Sequence, residues 1–572
     1  MAEFKTALRA AMQLHASGQA QQAFEAYNTL AKTFPNRPEP FNCLGKLAIQ
    51  TGNAKQAIPY FEKAFKLEPR NVDHLAPLME IYRIADNPDA EIIVCQRILD
   101  VIPTQPNAGQ RLHDLAIVSR QFHQAVPYFE KLVSLYPKNL RFVATLIDLL
   151  ERAGRYTESA KYYDMMLQLD DKNDPKLLPW YIQMLIRTGQ FDSAREEINT
   201  ALEKEPEHEE LNLVSASLYS AFGQHAKVVE GLDKVLKLQP DDAKIKYKKL
   251  LYRFMLDGIH GDMNDFNLRF DADMAIKFEF DFPHWKGEPL KGKHILLWSE
   301  QGIGDVIMFA SMIPWLLEQE AELTIASYPK MIDILQRAFP EAHMLQLAAG
   351  KIRLPATASF DYHSSFGGLV EFVLPHYTPY EHPGFLKAEP SLTQKYRTKY
   401  QTMRGDSETP YLVGISWNTI NAENCYIRNI PLKKWEEIFA IPGVQFVSLQ
   451  YNTDMDEVKA FRNGDDYKLI IDNDFEAYHN PDNSAAQIAA MDEVISIQNA
   501  TVHTGGALGV PTTIMLSSAC DWRWGNEGIY PIENLWYNSV TIARQETPMK
   551  WEPVISRVAE QLRQNVSKHI AA

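Results

Sequence analysis

Six prolines set the frame of this chain. Pro35, Pro69, Pro103 and Pro137 stand 34 residues apart, and after Asp171 the ladder resumes at Pro206 and Pro240. A second ladder, offset by about half a repeat, runs through Gly18, Gly52, Asp86, Arg120, Gly154, Gly189 and Gly223, and small residues follow at Ala23, Ala57, Ala125 and Ala194. A glycine or polar residue at this spacing separates one helix from the next. A proline, which cannot continue a helix, stops the second and opens the following pair. Segments such as AIPYFEKAFKLEP (57–69) and AVPYFEKLVSLYP (125–137) carry apolar residues at helical spacing, so each helix has a face to bury. Only stacking on neighbouring pairs buries it, and the period therefore predicts an α-solenoid over residues 4–244.

The helix-turn-helix period resembles the tetratricopeptide repeat, in about seven copies. Such stacks form superhelices whose concave face binds a peptide or protein segment, so a protein partner is expected. Past residue 245 the period fades through FNLRFDADMAIKFEFDFPHW (266–285), read as end cap and linker. Its Phe278, Phe280, Phe282 and Trp285 are expected to glue the solenoid to the C-terminal half of the chain.

Beyond the linker the pattern changes class. HILLWS (294–299), ELTIAS (322–327), YLVGISW (411–417), QFVSLQ (445–450), LIID (469–472), EVISIQ (493–498) and PTTIMLS (511–517) are short, apolar and β-branched, with helical segments between them. That alternation predicts parallel sheets covered by helices. The polar stretch 385–410, ending in GDSETP, divides two Rossmann-like α/β units. The expected domains are a repeat superhelix (1–250), a cap and linker (251–290), a first α/β domain (291–400) and a second (401–572).

With 58 Lys and Arg against 73 Asp and Glu, the net charge of −15 argues against a broad nucleic-acid footprint. The four cysteines, Cys43, Cys95, Cys425 and Cys520, are too scattered for a metal pair or a disulfide framework and fit a reducing compartment. The longest apolar run, Val306 to Leu317, is too short to span a bilayer, so no membrane span and a cytoplasmic location are expected.

Two strand-turn-helix passages could carry chemistry. In EQGIGDVIMFASMIPWL (300–316), Gly302 and Gly304 allow a tight turn and close backbone approach, and Asp305 falls at a helix start, where it could be a base or a simple cap. Ile307 stands in place of the third glycine of a dinucleotide fingerprint, and no GK[ST] follows, which disfavours NAD binding and ATP hydrolysis. In NATVHTGGALGVPTTIMLS (499–517), Asn499 can cap a helix whose free N–H groups suit a phosphate, Gly505 and Gly506 permit close packing, and His503 lies in the first turn. The D-x-D triplets at Asp271, Asp454 and Asp472 are cheap in an acidic chain, and no metal site is expected. The aromatic cluster Trp522, Trp524, Tyr530, Trp536 and Tyr537 is read as core packing over ligand stacking.

Residues 285–316, 413–450, 489–512 and DWRWGNEG (521–528) resemble the catalytic half of bacterial tetratricopeptide-repeat glycosyltransferases of GT-B fold. They are also similar to heptosyltransferases and, distantly, to protein O-GlcNAc transferases. The resemblance implies an inverting, metal-independent sugar transfer from a CMP- or UDP-linked donor to Ser or Thr of a protein bound by the repeats, flagellin being one such acceptor. No cofactor beyond this nucleotide-sugar co-substrate is implied.

The same resemblance implies Asp305 as the base with His503 as second choice, and the loop Gln301, Gly302 and Gly304 beside it. Ser416, Trp417, Asn418, Arg428 and Gln450 would face the donor, with Asn499, Thr501, Thr504, Gly505 and Gly506 on the phosphate-facing helix. Two departures stand out: relatives often carry a basic residue where this chain has Asn418, and Asp-Thr where it has Gln498-Asn499. Phosphate charge then falls on Arg428, aided by Lys433 or Arg523. The Asn ladder of some protein-glycosylating relatives has no counterpart in these repeats. A non-catalytic repeat scaffold with a degenerate cleft and a transferase acting on lipopolysaccharide are the competing expectations.

Overall fold

The computed structural model describes residues 2–85, 87–118, 122–169, 177–258, 263–348, 351–382, 384–403, 410–419, 425–451, 453, 455–465, 468–472, 480–525 and 536–571. Asp86, Arg120, Asp171, Asp454 and Tyr530, and all but Pro410 of GDSETP, lie outside them. The chain groups into two compact units, Met1–Asp174 and Pro175–Ala572.

The first unit is made of helix pairs such as Pro38–Gln50 with Ala54–Leu67 and Leu140–Arg152 with Tyr156–Leu169. The proline ladder works through one recurring turn. The residue before each proline is pushed out of the helical region, with φ/ψ of −127°/65° at Phe34, −136°/73° at Glu68 and −128°/84° at Ile102. The chain then closes an i to i+3 hydrogen bond around the proline, Arg37 N to Phe34 O, Asn71 N to Glu68 O, Gln105 N to Ile102 O and Asn139 N to Tyr136 O. The glycine ladder supplies left-handed backbone between paired helices, at φ of 78°, 80° and 75° for Gly18, Gly52 and Gly154. Ala23, Ala57 and Ala125 are fully buried, because larger side chains would hold the paired helices apart.

The second unit begins with five more helices, Leu177–Arg187, Phe191–Lys204, Glu209–Ala221, His225–Leu238 and Ala243–Asp257. Two sheets come after them. β1 (His294–Trp298), β2 (Glu322–Ser327), β3 (His343–Ala348), β4 (Lys351–Ile352) and β5 (Tyr362–Ser365) form a sheet of order β4-β3-β2-β1-β5. β6 (Tyr411–Ser416), β7 (Val444–Ser448), β8 (Glu493–Ile497), β9 (Thr512–Leu516) and β10 (Val540–Arg544) form one of order β10-β9-β8-β6-β7. All pairs are parallel except β3 with β4. The chain is thus a tetratricopeptide-type solenoid followed by α/β structure.

Three expectations change. LIID makes one parallel bridge, Ile470 to Val447, rather than a strand, and Asp472 turns away to Lys399 (2.7 Å) and Tyr400 (2.9 Å). Helix Pro390–Thr402 lies within the polar stretch 385–410, packing Tyr396 and Tyr400 with Leu412 and Val447 of the second sheet. Phe278, Phe280 and Phe282 pack on Leu296, Trp298 and Ala326 of the first sheet, while of the four linker aromatics only Trp285, among the described residues, joins the cluster that holds the last repeat helix. The last repeat helix is joined instead by Tyr247, Phe254 and Phe266, which meet Trp522 and Phe309. A second contact places Ser518 Oγ 2.7 Å from Ala221 O, where a Cβ on Gly223 would stand 3.1 Å from Ser518 O.

Candidate functional site

In each sheet the first strand in sequence has its successor on one side and a later strand on the other: β1 lies between β2 and β5, and β6 between β7 and β8. Crevices form at the carboxyl ends of strands at such switch points. The candidate residues lie at or after these strand ends: Gln301 to Asp305 after β1, Ser416 at the end of β6 with Trp417, Asn418 and Arg428 beyond it, Gln450 after β7 and Asn499 to Gly506 after β8.

The turn after β1 is held from beneath. Glu300, buried beside the strand end, accepts from Arg269 Nε (3.0 Å) and Nη2 (3.1 Å) and from Gly367 N (3.2 Å). Arg269 is itself fully buried, sandwiched between the rings of Phe266 and Phe270 at 4.3 and 4.2 Å, and donates to Phe266 O and Ser365 Oγ. Burial pushes the Glu300 carboxyl above its ordinary value, and the Arg269 charge opposes that shift. Gly302 then caps the helix Ile303–Ala310 in extended conformation, at φ −63°, so the turn itself does not demand glycine there.

Gly304 has a different reason. A Cβ at this position would lie 3.2 Å from His503 Cδ2 and 3.7 Å from Ala500 Cα. The helices Ile303–Ala310 and Ala500–Leu508 therefore touch near their N-termini, one from each α/β half. Asn499 caps the second helix, its Oδ1 accepting from Thr501 N (3.0 Å) and its Nδ2 donating to Ser416 Oγ (2.7 Å). Gly505 and Gly506 bring that helix onto Thr512 and Tyr537, which a Cβ would meet at 2.6 and 2.5 Å. Thr504 Oγ1 donates back to Ala500 O, and Thr501 is buried.

Gln450 ties the strand ends together. Its Oε1 accepts from Ser416 Oγ, Trp417 N and Asn418 N, and its Nε2 donates to Asn418 O and Tyr451 O. Trp417 points into the core of the second half with its Nε1 on Glu457, and Asn418 Oδ1 accepts from Asn429. These bonds fix the strand ends at the crevice.

The charged groups form a chain across it. Arg523 donates through Nε (2.8 Å) and Nη2 (2.6 Å) to Asp305 Oδ1, and its Nη1 lies 3.3 Å from Asp521 Oδ2. Arg428 Nη2 approaches the same Asp521 oxygen at 3.5 Å. Burial raises the Asp521 carboxyl, and Arg523 and Arg428 outweigh it, leaving it below the usual carboxylate range. Asp305 and Arg523 each keep 19% side-chain exposure. His503 is buried, its Nδ1 3.1 Å from the Tyr537 hydroxyl and its ring 5.1 Å from Trp524. Burial pushes it down to about 4, so it is neutral at neutral pH. Lys433 is exposed on the turn Leu432–Trp435 and joins none of these pairs.

Several buried polar atoms in these segments have no hydrogen-bond partner among the described residues: both amide atoms of Gln498, Arg428 Nε, Gln301 Oε1, and the indole nitrogens of Trp522 and Trp524. Unsatisfied buried donors and acceptors at a crevice suit a polar ligand. Trp522, Trp524, Trp536 and Tyr537 are core residues. No cluster of three His, Cys, Asp or Glu suited to a metal occurs among the described residues, and no helix there is long and apolar enough to cross a membrane. Arg269, Glu300 and Asp521 were not evident from sequence, because Arg269 and Glu300 meet across 31 residues and Asp521 meets Arg428 across 93.

Residues 42–71, 114–174 and 185–250 match the tetratricopeptide repeat. Over 559 residues the chain is 25% identical to Protein FlbA of Caulobacter vibrioides, covering 87% of this chain and 91% of that protein. It is 20% identical over 237 residues to Superkiller protein 3 of Schizosaccharomyces pombe, covering 38% of this chain and 17% of that one. Among solved structures, Naa15/Naa10 bound to HypK-THB aligns with TM-score 0.34 and 15% identity, over 47% of this chain and 42% of that chain. The glycosyl transferase family 9 structure from Veillonella parvula DSM 2008 aligns with TM-score 0.32 and 12% identity, over 45% of this chain and 88% of that chain.

Proposed function

We propose that this protein is a GT-B-type glycosyltransferase that moves a sugar from a CMP- or UDP-linked donor to a Ser or Thr of a protein captured by the repeats, flagellin being the acceptor to test first. The observation that carries the proposal is the meeting of two strand-end switch points. There a partly exposed carboxylate, Asp305, faces the Arg523 guanidinium, and Asp521 links Arg523 to Arg428, beside the capped helix Ala500–Leu508. The motif resemblance of residues 285–316, 413–450, 489–512 and 521–528 supports the same reading.

In the proposed step, the acceptor hydroxyl oxygen attacks the anomeric carbon as the bond from that carbon to the phosphate oxygen breaks. The bonding electron pair leaves with the phosphate, and the hydroxyl proton passes to Asp305. The Arg428 and Arg523 charges and the helix dipole receive the developing anion. Asp305 suits the base role better than His503, which is buried against Trp524 and Tyr537.

A second reading, a repeat scaffold with an inert cleft, draws on one observation: both guanidiniums already face carboxylates. Co-expression with flagellin followed by intact-mass measurement separates the two. The transferase reading expects a sugar mass on flagellin that disappears with Asp305→Ala while the variant stays folded. An unchanged flagellin mass with the native chain, together with no calorimetric binding of CMP, UDP, GDP or ADP with or without EDTA, favours the scaffold. A mass change on lipopolysaccharide alone would move the acceptor from protein to glycan.

A further inference from the structure

The four charges at the crevice form a self-neutralised set. Asp305 Oδ1 takes both short contacts from Arg523, at 2.8 and 2.6 Å, while its Oδ2 has no hydrogen bond to the described residues. Arg523 shares its third nitrogen with Asp521, and Asp521 shares the same oxygen with Arg428. An anion that takes the Arg523 guanidinium meets a cation already held by two carboxylates, so it must displace one of them.

The two carboxylates are not equivalent. Asp521 caps the turn that carries Arg523, accepting from Arg523 N at 3.1 Å, and so it travels with the arginine. Asp305 belongs to the other α/β half, 218 residues away in sequence. The backbone of Arg523 is fixed by Trp536 Nε1 on its carbonyl (2.9 Å), and its guanidinium lies 4.9 Å over the Trp522 ring. The side chain can change partner while its main chain stays in place.

We propose that Arg523 is a donor-binding residue with two alternative partners, Asp305 in the free enzyme and the donor phosphate in the loaded one. The inference rests on the glycosyltransferase reading above and adds an order of events to it. Before donor binds, Arg523 occupies Oδ1 of Asp305. When a phosphate takes the guanidinium, that oxygen is left open to the acceptor hydroxyl, with the donor in place to react. Competition of this kind makes Asp305 an antagonist of donor binding.

Calorimetric titration of the full chain with CMP, UDP, inorganic phosphate and pyrophosphate tests this. Asp305→Asn keeps the shape and removes the competing charge, so nucleotide binding should tighten about fivefold to tenfold relative to the native protein. Arg523→Gln should weaken it by about tenfold or more, and Arg523→Lys, which keeps the charge without the fork, should recover part of that loss. A merely structural role for Arg523 would lower the melting temperature of its variants and leave Asp305→Asn no tighter. Nucleotide binding by the native chain that Asp305→Asn leaves unchanged or weakens overturns the inference and leaves the transferase reading standing. Tightening for inorganic phosphate but not for the nucleotides also overturns it, by assigning the guanidinium to a free anion. No nucleotide bound by any variant overturns the transferase reading and this inference together.

Discussion

Glycine performs opposite tasks in the repeats and at the strand-end crevice. Gly18 and Gly52 adopt φ of 78° and 80°, and nothing lies within 4 Å of where a Cβ would stand. Gly505 and Gly506 sit inside a helix, where glycine costs up to about 1 kcal/mol relative to alanine, yet a Cβ there would run into Thr512 and Tyr537. In the repeats the residue is chosen for a backbone conformation. At the crevice it is chosen for space, so its importance depends on what the fold brings against it.

The same contrast orders the expected effects of substitution. The largest should come from Arg269→Ala, which strands the Glu300 carboxylate in the interior. A loss of about 3–5 kcal/mol by urea denaturation is expected, with part of it regained in Arg269→Met combined with Glu300→Gln. Next comes Gly506→Ala, whose Cβ would stand 2.5 Å from Tyr537 Cγ, at about 2–3 kcal/mol. Gly52→Ala has open space and suffers only the left-handed backbone, at about 1 kcal/mol. Equal losses for the two glycine variants would break the comparison.

The histidines sharpen it through pH. His225, His363 and His503, all in the second unit, are pushed down to about 4, in each case mainly by burial. A folded value below the unfolded one means stability that is full above about 6.5 and is lost as pH falls toward 4, because the unfolded chain takes up the proton first. By pH 5 each should remove about 2 kcal/mol from the second unit. His113, in the first unit, is shifted upward, chiefly by its hydrogen bond to Asp148. Its contribution is present below about 6.5 and lost as pH rises through its folded value, the opposite sign. Calorimetric melting at pH 7 and pH 5 should therefore show acid weakening the Pro175–Ala572 unit more than the Met1–Asp174 unit. A uniform shift would contradict this assignment.

The repeats were legible because their determinants are local. Each proline forces the residue before it out of the helix, and each ladder glycine supplies a turn that ordinary side chains resist, whatever lies elsewhere in the chain. The central strands were legible for a similar reason, as apolar β-branched runs buried on both faces. Strand β5, YHSS, carries too little of that signal and is a strand because of its neighbour β1. LIID shows the reverse: an apolar run with strand-like composition makes a single bridge.

At the crevice, sequence motifs located Asp305, Arg428 and the capped helix after β8 without indicating how their charges are shared. The aromatic linker shows the same limit. Its phenylalanines were recognisable as buried, but which surface they cover depended on where the first sheet came to lie.

By itself, the sequence determined the helix-pair period, the order of solenoid and α/β halves, and the strand-turn-helix passages that end at Asp305 and begin at Asn499. These arise from backbone preferences and hydrophobic periodicity acting over a few residues. The tertiary structure alone decided that Arg269 supports Glu300, that Gly304 yields space to His503, and that Arg523 reaches Asp305 across 218 residues of chain. Ion pairs and close contacts of this kind depend on which surfaces the packed core brings within a few ångströms, and no local pattern encodes that distance.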